Sequence, residues 1–419
     1  MKFILKKLVL GSTDLILQPG SVQFPEKLKP LGLYLHVPFC KTICDYCPYN
    51  KVPYTSAKME LYLKALYQEI NRYKPIINDT EITSLYIGGG TPTIDYKILC
   101  KLITDLRDEF QISGDICTES HPTTITEECV SYLREVGINK ISIGIESLRD
   151  PILKKIGRSH NAQTAEQAIT YATNQDFDTV NVDMLFALPG QTREILREDI
   201  QRVIELGVDQ VSSYPLYVFP FTKFGKKVHS GEVKVPTWYQ KFQLFKELEK
   251  TCLNNGLIQT SVWTFTKSLQ QRYSSVTRER YIGFGPGAGS YIDDYFYLNT
   301  FSLRGYAEAV KKGLPIAVRA VFNELLQKIF WLYWKIYRVN IPTQDYQRKF
   351  NERFEGRFWL PSLFARAFNM AYYQNSNLLL TSRGSYWIHQ LQNLFSLGSI
   401  DYVWGSCSEE AWPSKNLKI

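Results

Sequence analysis

Short apolar, β-branched runs alternate with segments of helical periodicity through the first half of the chain. The runs cover residues 33–37, 85–87, 116–118, 140–145, 179–186 and 210–216. Each run has the composition of a strand, and the intervening segments repeat apolar residues at helical spacing. Repeated strand–helix units predict a parallel sheet with right-handed crossovers and with functional groups at the carboxyl ends of the strands. The predicted fold class is therefore α/β, a partial (β/α)6 barrel of the TIM type.

Local signals agree with this alternation. Ser56 stands before a helical segment with apolar residues at 61, 65, 66 and 70, and Thr126 opens a capped helix that ends near Gly137. Near residue 320 the pattern changes, because helices are predicted at 321–337 and 360–374 and a short strand with a turn at 378–384. This region is predicted to be a smaller, mainly helical domain.

The length of 419 residues exceeds one typical domain. We predict four parts: an N-terminal extension at 1–30, the barrel core at 31–225, a further extension with a late glycine-rich loop at 226–318, and the C-terminal domain at 319–419. A hydrophobic content of 44% is enough to build a core for these parts.

Charge and hydropathy exclude several classes of function. The net charge of +8 is spread along the chain rather than gathered in a basic tract, so no nucleic-acid partner is predicted. An anionic small-molecule substrate is compatible with this charge. The apolar start is interrupted by Lys6 and Lys7, and the longest later run, 329–334, ends at Lys335, well short of a membrane span. The sequence predicts a mature, cytoplasmic protein without a membrane span.

The strongest chemical signal is a run of three cysteines, Cys40, Cys44 and Cys47, directly after the first apolar run. Cysteine thiolates are the usual ligands of iron–sulfur clusters. Three of them leave a four-iron cluster one ligand short, so the fourth ligand comes from solvent or substrate. The spacing therefore predicts a [4Fe-4S] cluster with one open iron.

These cysteines have three alternative interpretations: a zinc site, disulfides or idle thiols. Zinc needs a fourth ligand, for which the nearest residue is His36 on the preceding strand. Disulfides fit poorly, because eight scattered cysteines in a chain of this length do not form a small disulfide framework. Three idle thiols are the remaining alternative. The other cysteines form no CxxC pair and are predicted to be buried apolar thiols: Cys100, Cys117, Cys129, Cys252 and Cys407.

A glycine-rich element follows the second predicted strand. Gly88, Gly89 and Gly90 precede Thr91, and three glycines remove every Cβ where a polar group of another molecule could approach the backbone. A tight structural turn explains the same residues equally well. A second glycine cluster lies at 281–290 and leaves the same two alternatives open.

Several of these motifs occur together, in an order that resembles radical S-adenosylmethionine (SAM) enzymes, specifically the oxygen-independent coproporphyrinogen III oxidases and their relatives. The resemblance covers roughly residues 31 to 300. It rests on YLHVPFC at 34–40, the three cysteines, GGGTP at 88–92 and DMLFALPGQT at 183–192. In this family the C-terminal appendage is of the winged-helix type. Residues 378–384 resemble its short strand and turn.

The resemblance implies a [4Fe-4S] cluster and SAM as cofactors, with one or two SAM molecules. It implies reductive cleavage of SAM to a 5′-deoxyadenosyl radical, which abstracts hydrogen from an organic substrate, with tetrapyrroles among the candidates. The alternatives are a radical SAM C-methyltransferase that uses two SAM molecules, or a non-catalytic haem-binding or haem-transfer protein. The implied electron donor is a flavodoxin or a ferredoxin.

The resemblance also implies roles for individual residues. The three cysteines bind the cluster, Tyr46 lies beside the adenine, and Gly88, Gly89, Gly90 and Thr91 meet the methionine amino group. Glu119 binds the ribose hydroxyls or the amino group, Glu146 stands where relatives often carry glutamine, Arg158 pairs with the cofactor carboxylate and Asp183 lies near the adenosine. Tyr34 faces substrate or cofactor and is the predicted catalytic residue; a packed core tyrosine is the alternative. For the acidic residues the alternative is a helix cap or a surface salt bridge.

Three departures from the family pattern concern the substrate. Tyr49 stands where coproporphyrinogen oxidases carry a further cysteine, and the residues 270–275 differ from those of haem-chaperone relatives. Phe221 replaces a usual glycine after the sixth strand. The reaction type is therefore better specified by the sequence than the substrate.

Overall fold

Six parallel strands form the centre of the sheet, and each contains one of the predicted runs. The computed structural model describes residues 15–270, 272–273 and 279–418. Neighbouring strands in the sheet follow chain order, as repeated strand–helix units require. The six strands are Leu31–Val37, Ile82–Gly89, Ile112–Ser120, Lys140–Glu146, Thr179–Phe186 and Gln210–Pro215. The predicted partial (β/α)6 barrel is confirmed.

The sheet continues beyond both edges of this set. Tyr281–Phe284 pairs in parallel with Leu31–Val37, and the sequence reasoning missed this strand because it treated the region as a loop. Within the described residues the sheet has twelve strands and its order is open rather than closed on itself. The antiparallel strands that extend it are Ile258–Ser261 and Thr264–Thr266 at one edge and Gly289–Tyr291, Tyr295–Asn299 and Ile316–Val321 at the other.

Helices cover the outer face of the six central strands. The first helix lies where it was predicted but begins at Ser56 itself, one residue early, and the side chain of Thr55 caps it by accepting the Lys58 N–H. The predicted cap at Thr126 is also present, since its hydroxyl accepts the Cys129 N–H at 3.1 Å. The helices of this part are Ser56–Ile77, Tyr96–Glu109, Glu127–Glu135, Asp150–Lys155, Ala162–Thr173, Arg193–Glu205, Lys223–His229, Trp238–Asn254 and Leu303–Ala309, with 3-10 turns at Pro92–Asp95 and Pro122–Thr124.

The two faces of the strands differ in polarity. Leu33 and Leu35 are two residues apart, so their side chains lie on the same face of the strand, and both are fully buried in the main core. The inward positions are polar: Lys140 pairs with Asp115 at 2.6 Å near the amino ends of the strands. At the same end the Gln210 side chain bonds both backbone polar groups of Tyr273. Protein therefore fills the amino end of the barrel, and functional groups have room at the carboxyl end.

The C-terminal region is mainly helical, as predicted, but the helix predicted at 360–374 ends at Ala367. The helix Phe354–Ala367 ends before a hairpin, in which Ala371–Gln374 pairs with Asn377–Leu380. Left-handed backbone at Asn375 and Ser376 makes the tight connection, a conformation that asparagine tolerates well. The aromatic residues before this turn fit a strand and a helix equally well by periodicity. The region contains the helices Glu324–Tyr337, Thr343–Phe350, Phe354–Ala367 and Ser382–Glu409 and the three-stranded sheet of Asn340–Pro342, Asn377–Leu380 and Ala371–Gln374.

The four-part division of the chain stays a prediction. The strand Ile316–Val321 spans the boundary that we placed between 318 and 319, and the N-terminal extension lies partly outside the described residues. Ile16–Leu17 pairs with Leu417–Lys418, which joins two parts that are distant in sequence. No helix in the described part of the chain is long and apolar enough to cross a membrane.

Candidate active site

The three cysteines lie on one loop at the carboxyl end of the first barrel strand. Cys40 ends the short strand Phe39–Cys40, which pairs with Val52–Pro53 and so closes the loop. Inside it, the Cys47 N–H donates to the Cys44 carbonyl at 3.4 Å. All three side chains are half-buried and near one another. The structure therefore brings together the residues that we predicted as cluster ligands.

The surroundings of the sulfur atoms fit an iron–sulfur cluster. The Thr91 hydroxyl points to Cys40 Sγ at 3.8 Å, and Arg158 Nη1 to Cys44 Sγ at 3.4 Å. Burial raises the pKa of the Cys40 thiol to about 11, so a thiolate at this position needs a positive partner such as iron. Burial likewise raises the pKa of Cys47. The donor set fits a [4Fe-4S] cluster in ligand type and number, and its binding by these three residues stays a prediction.

A single zinc ion fits these residues less well. In the parts of the chain that the structure describes, no three His, Cys, Asp or Glu residues gather closely enough to hold one metal ion. A cubane cluster binds each thiolate at a different iron, so its ligands are naturally further apart. His36, the proposed fourth zinc ligand, uses both ring nitrogens in hydrogen bonds.

Those hydrogen bonds define the state of His36. Its Nε2 donates to the Asn50 carbonyl at 3.0 Å, because a carbonyl only accepts. Burial lowers the pKa of His36 to about 4, so the ring is neutral and its Nδ1 accepts the Tyr34 hydroxyl at 2.7 Å. Tyr34 therefore points inward with a polar partner, and does not resemble a tyrosine packed only among apolar side chains. Sequence reasoning missed Asn50; its position inside the loop was the available signal.

Asp45 anchors the cysteine loop to two other loops of the barrel mouth. Its backbone carbonyl accepts the Phe224 N–H at 2.9 Å, and its carboxylate pairs with Lys227 at 3.0 Å. Its N–H donates to the Ile156 carbonyl at 3.3 Å. Gly157 adopts φ +75° next to it, and a Cβ there would lie 3.1 Å from Asp45. The loop is thus held from both sides.

Of the three glycines at the end of the second barrel strand, Gly90 lies directly against the cysteine loop. A Cβ on Gly90 would come within 2.6 Å of the Phe39 carbonyl and 2.9 Å of Cys40 Sγ. The Gly90 N–H donates to the Val37 carbonyl at 2.8 Å, and the Thr91 N–H to the Phe39 carbonyl at 2.7 Å. Close backbone approach to the cluster loop therefore explains why position 90 is glycine. The contact of these glycines and Thr91 with a cofactor stays a prediction.

Glu119 ends the third barrel strand and bonds to the glycine segment. Its carboxylate accepts the Gly89 N–H at 3.0 Å and the Tyr86 hydroxyl at 2.5 Å. A Cβ on Gly88 would lie 2.9 Å from the same carboxylate. The Tyr273 hydroxyl donates to Tyr86 at 2.6 Å and extends the chain of hydrogen bonds into the barrel. Glu119 is therefore neither a helix cap nor a surface ion pair.

Arg158 and Glu146 form a buried ion pair beside Cys44. Their closest atoms are 3.6 Å apart, and the Arg158 side chain is 7% exposed. Arg158 also donates to the Gly144 carbonyl, while its Nε is buried without a hydrogen-bond partner. Glu146 has φ +66°, an uncommon backbone conformation for this residue type. Burial raises the pKa of the Glu146 carboxyl, and the Arg158 charge opposes this.

Tyr46 lies between this ion pair and an apolar cluster. Its hydroxyl lies next to the Glu146 carboxylate, and its ring packs against a smaller core that contains Ile156 and Leu188. The ring is therefore the part of Tyr46 that is suited to contact an adenine.

Asp183 is the last predicted site residue and faces the barrel interior. It accepts the Ser142 hydroxyl at 2.6 Å and an Asn181 N–H at 3.1 Å. Burial raises the pKa of Asp183 to about 7; Ser142 opposes the shift and Glu119 adds to it. Glu119 and Asp183 thus lie close enough for the charge of Glu119 to raise the pKa of Asp183.

The late glycine-rich segment at 281–290 packs against the cysteine loop at Asn50. The Asn50 side chain donates to the Pro286 carbonyl at 2.9 Å, and a Cβ on Gly287 would lie 2.7 Å from Asn50 Nδ2. The Gly285 N–H donates to the buried carboxylate of Glu69 at 2.8 Å. Residues 271 and 274–278, which include part of the departure at 270–275, lie outside the described residues.

The fold and the cysteine loop define a protein of α/β barrel architecture with a three-thiol cluster site at the barrel mouth. A family model described as the radical SAM superfamily matches residues 34–203. The chain is 30% identical to the Heme chaperone HemW of Bacillus subtilis (strain 168), over 67% of this chain and 76% of the relative. It is 30% identical to the Anaerobilin synthase of Escherichia coli O157:H7, over 67% of this chain and 65% of the relative.

Among solved structures, coproporphyrinogen III oxidase (HemN) from Escherichia coli matches with a TM-score of 0.74. The match covers 86% of this chain and 89% of that chain at 23% identity, which shows a shared fold. The chain belongs to the radical SAM superfamily, in the group that contains HemW and the oxygen-independent coproporphyrinogen III oxidases. The predicted cofactors, a [4Fe-4S] cluster and SAM, are those that this superfamily uses. A second SAM molecule stays a prediction.

Proposed function

We propose that this protein is a radical SAM enzyme that removes hydrogen from a tetrapyrrole. When bound, the [4Fe-4S] cluster and SAM supply a one-electron cleavage of the SAM carbon–sulfur bond and a 5′-deoxyadenosyl radical. The observation that carries the proposal is the half-buried set of three neighbouring thiols, with Arg158 beside Cys44.

The residues of this chain would then act by binding and orientation. Cys40, Cys44 and Cys47 hold the cluster, and the rigid loop that Asp45 anchors fixes its position. Arg158, with its unpaired Nε, is suited to a carboxylate because guanidinium and carboxylate match in charge and geometry.

Three further groups complete the proposed SAM site. Glu119 and Asp183 are acceptors for the ribose hydroxyls or the amino group, and the Tyr46 ring is a stacking surface for the adenine. Gly88 to Thr91 bring the backbone close to the methionine amino group. Tyr34, held by His36, is placed to contact either substrate or cofactor.

The tetrapyrrole part of the proposal rests on the relatives. The names of HemW, Anaerobilin synthase and coproporphyrinogen III oxidase refer to a haem, a bilin and a porphyrinogen, which are all tetrapyrroles. Haem transfer without turnover is the second candidate function, because HemW is named a haem chaperone and shares 30% identity with this chain. Tyr49 replaces a family cysteine, so decarboxylation of coproporphyrinogen is not the activity that we propose.

One anaerobic experiment separates the two candidates. The reconstituted protein is reduced with dithionite, incubated with SAM, and analysed for 5′-deoxyadenosine and S-adenosylhomocysteine; haem retention is measured in parallel. We expect 5′-deoxyadenosine in amounts above one per cluster when the substrate is present. A full cluster without 5′-deoxyadenosine, together with stoichiometric haem binding, would select haem transfer. S-adenosylhomocysteine would select the methyltransferase alternative.

The physiological electron donor is proposed to be a flavodoxin or a ferredoxin, since cleavage needs one electron at a time. Lys41 is exposed on the cysteine loop, where a negatively charged donor would have to approach. Replacing dithionite by reduced flavodoxin should support 5′-deoxyadenosine formation at low salt. A protein that forms 5′-deoxyadenosine with dithionite but with neither reduced flavodoxin nor reduced ferredoxin would contradict this donor class.

A further inference from the structure

Five tyrosines gather at the barrel mouth beside the cysteine loop. They come from the loop itself, from the end of the sixth barrel strand and from the C-terminal helix Glu324–Tyr337. An asparagine from the helix Ser382–Glu409 joins them. We call this group the tyrosine pocket; it consists of Tyr49, Tyr214, Tyr217, Tyr333, Tyr337 and Asn393.

Contacts between distant parts of the chain build this pocket. Asn393 Nδ2 donates to the Tyr217 hydroxyl at 3.3 Å, and the hydroxyls of Tyr214 and Tyr337 interact with each other. The Tyr337 carbonyl accepts the Val262 N–H at 2.9 Å, which fixes the C-terminal helix to the sheet edge. The barrel and the C-terminal region therefore both contribute to one surface.

Two buried polar groups beside the pocket have no hydrogen-bond partner. They are the indole N–H of Trp263, a residue only 1% exposed, and the hydroxyl of Ser261. Trp263 lies next to the Tyr217 hydroxyl and Ser261 next to the Tyr337 hydroxyl. The polar lining of the pocket therefore continues behind the rings of Tyr217 and Tyr337.

Tyr49 connects the pocket to the proposed cofactor site. Surrounding protein raises the pKa of its phenol, and the charges of Glu119 and Asp183 add to the shift. Yet 61% of the Tyr49 surface is accessible. Tyr49 therefore extends from the cysteine loop to the tyrosine pocket and stays accessible to a ligand.

The lining of the pocket is aromatic. The charged side chains that act most strongly on its phenols are the carboxylates Glu119 and Asp183, and no lysine or arginine is among them. Phenol rings stack on flat conjugated molecules, and their hydroxyls donate to oxygen atoms at the edge of such molecules. A ligand held by ion pairs would need cations here.

We propose that the tyrosine pocket determines substrate specificity by binding the face of a planar conjugated ring and donating phenol hydroxyls to oxygen atoms at its edge. The proposal rests on the tetrapyrrole class proposed above. Tyr49, which stands where coproporphyrinogen oxidases carry a cysteine, lies between the bound ring and the cluster. The C-terminal region is then part of the substrate site.

Equilibrium binding of coproporphyrin III to the reconstituted protein tests the pocket independently of SAM cleavage. Binding is followed by the porphyrin absorption band and by quenching of tryptophan fluorescence. Replacing both Tyr217→Phe and Tyr337→Phe removes two hydroxyls and keeps the rings, so we expect Kd to rise about tenfold. Binding by the unchanged protein should vary less than about twofold between 50 and 500 mM salt, because no ion pair is involved.

Two further variants control this experiment. Tyr239→Phe changes an exposed tyrosine outside the pocket and should leave Kd unchanged. Tyr49→Phe changes an accessible side chain, so it tests the pocket even if the double variant loses iron or melts at a lower temperature. A Kd for the pocket variants within about twofold of the unchanged protein, no binding of coproporphyrin III, or a strong salt dependence would each overturn the proposal.

The outcomes for the pocket and for the proposed enzyme activity are distinguishable. Loss of porphyrin binding in the variants without any 5′-deoxyadenosine from the unchanged protein would support the pocket and refute the enzyme. Unchanged binding in the variants alongside normal 5′-deoxyadenosine formation would refute the pocket and support the enzyme.

Discussion

The two sides of the barrel mouth are built in different ways. On the cofactor side, backbone packs closely on backbone: Gly90 lies against Phe39 and Cys40, and Asp45 bonds to the helix that contains Phe224. On the other side, long side chains from distant segments form the tyrosine pocket, and some of their polar neighbours have no partner. The first arrangement tolerates little change in shape, whereas the second can change its contacts while the fold is kept. This difference explains how one family can keep one cofactor chemistry and vary its substrates.

Removing a thiol should produce the largest effect. Cys44→Ala deletes one of three proposed cluster ligands and the partner of Arg158, so we expect loss of the cluster and of 5′-deoxyadenosine formation together. Iron and sulfide content after anaerobic reconstitution measures the first, and product analysis the second. Cys407→Ala, a buried cysteine far from the loop in sequence, is the matched control. Equal iron content in the Cys44 variant and the control would overturn the ligand assignment.

A methyl group at Gly90 should affect both stability and cluster content. Its Cβ would lie 2.6 Å from the Phe39 carbonyl, where backbone has to move, so we expect Gly90→Ala to lower the free energy of unfolding by about 2 to 4 kcal/mol. Urea denaturation measures the loss. Gly356→Ala, in a helix with nothing within 4 Å of the new Cβ, should change stability by less than about 1 kcal/mol. Similar values for the two variants would refute the close packing of the cofactor side.

The buried carboxyl of Glu69 should make part of the stability depend on pH. Burial raises the pKa of Glu69 to about 7, while hydrogen bonds from Tyr306, Gly285 and Asn299 oppose the shift. The native state therefore binds this proton more tightly than the unfolded chain, so this contribution to stability is largest below pH 4.5 and falls as pH rises towards 7. Denaturation at several pH values should show that the free energy of unfolding falls less for Glu69→Gln than for the unchanged protein. We expect the difference to be up to about 1 to 3 kcal/mol over this pH window. An unchanged slope would contradict the assignment.

Loss of the Asn50 amide should have the smallest effect. Asn50→Ala removes hydrogen bonds to the Pro286 and Phe301 carbonyls, which link the cysteine loop to the late glycine-rich segment. We expect a loss of about 1 to 2 kcal/mol in the free energy of unfolding and faster amide hydrogen exchange at Gly287. Porphyrin binding at the tyrosine pocket should stay within about twofold, which separates the two sides of the mouth. A larger loss of porphyrin binding than of stability would show that the two sides are coupled.

Sequence patterns predicted the parts of the molecule that local chemistry determines. The six central strands were found because each is a continuous apolar run, and the cysteines and Gly88 to Thr91 because their spacing is short. The contacts of His36 with Asn50 and of Glu119 with Gly89 were not predictable, since they depend on how separate loops meet. For the same reason the tyrosine pocket was invisible, although Tyr49 was singled out as a departure.

The strand Tyr281–Phe284 shows a second limit. Its four residues are followed by glycines, so its pattern resembles a loop, and only pairing with Leu31–Val37 makes it a strand. The hairpin at Ala371–Gln374 was missed because its aromatic residues fit a helix equally well. Short strands of this kind are defined by partners that lie far away in sequence.

The most direct test of the account is electron paramagnetic resonance of the reduced, reconstituted protein with and without SAM. If three cysteines hold the cluster and SAM completes the open iron, the spectrum of the reduced cluster changes its g values when SAM is added. Tyr217→Phe should show the same change, because the tyrosine pocket does not bind the cluster. A fully reconstituted protein whose spectrum is identical with and without SAM would contradict the central claim.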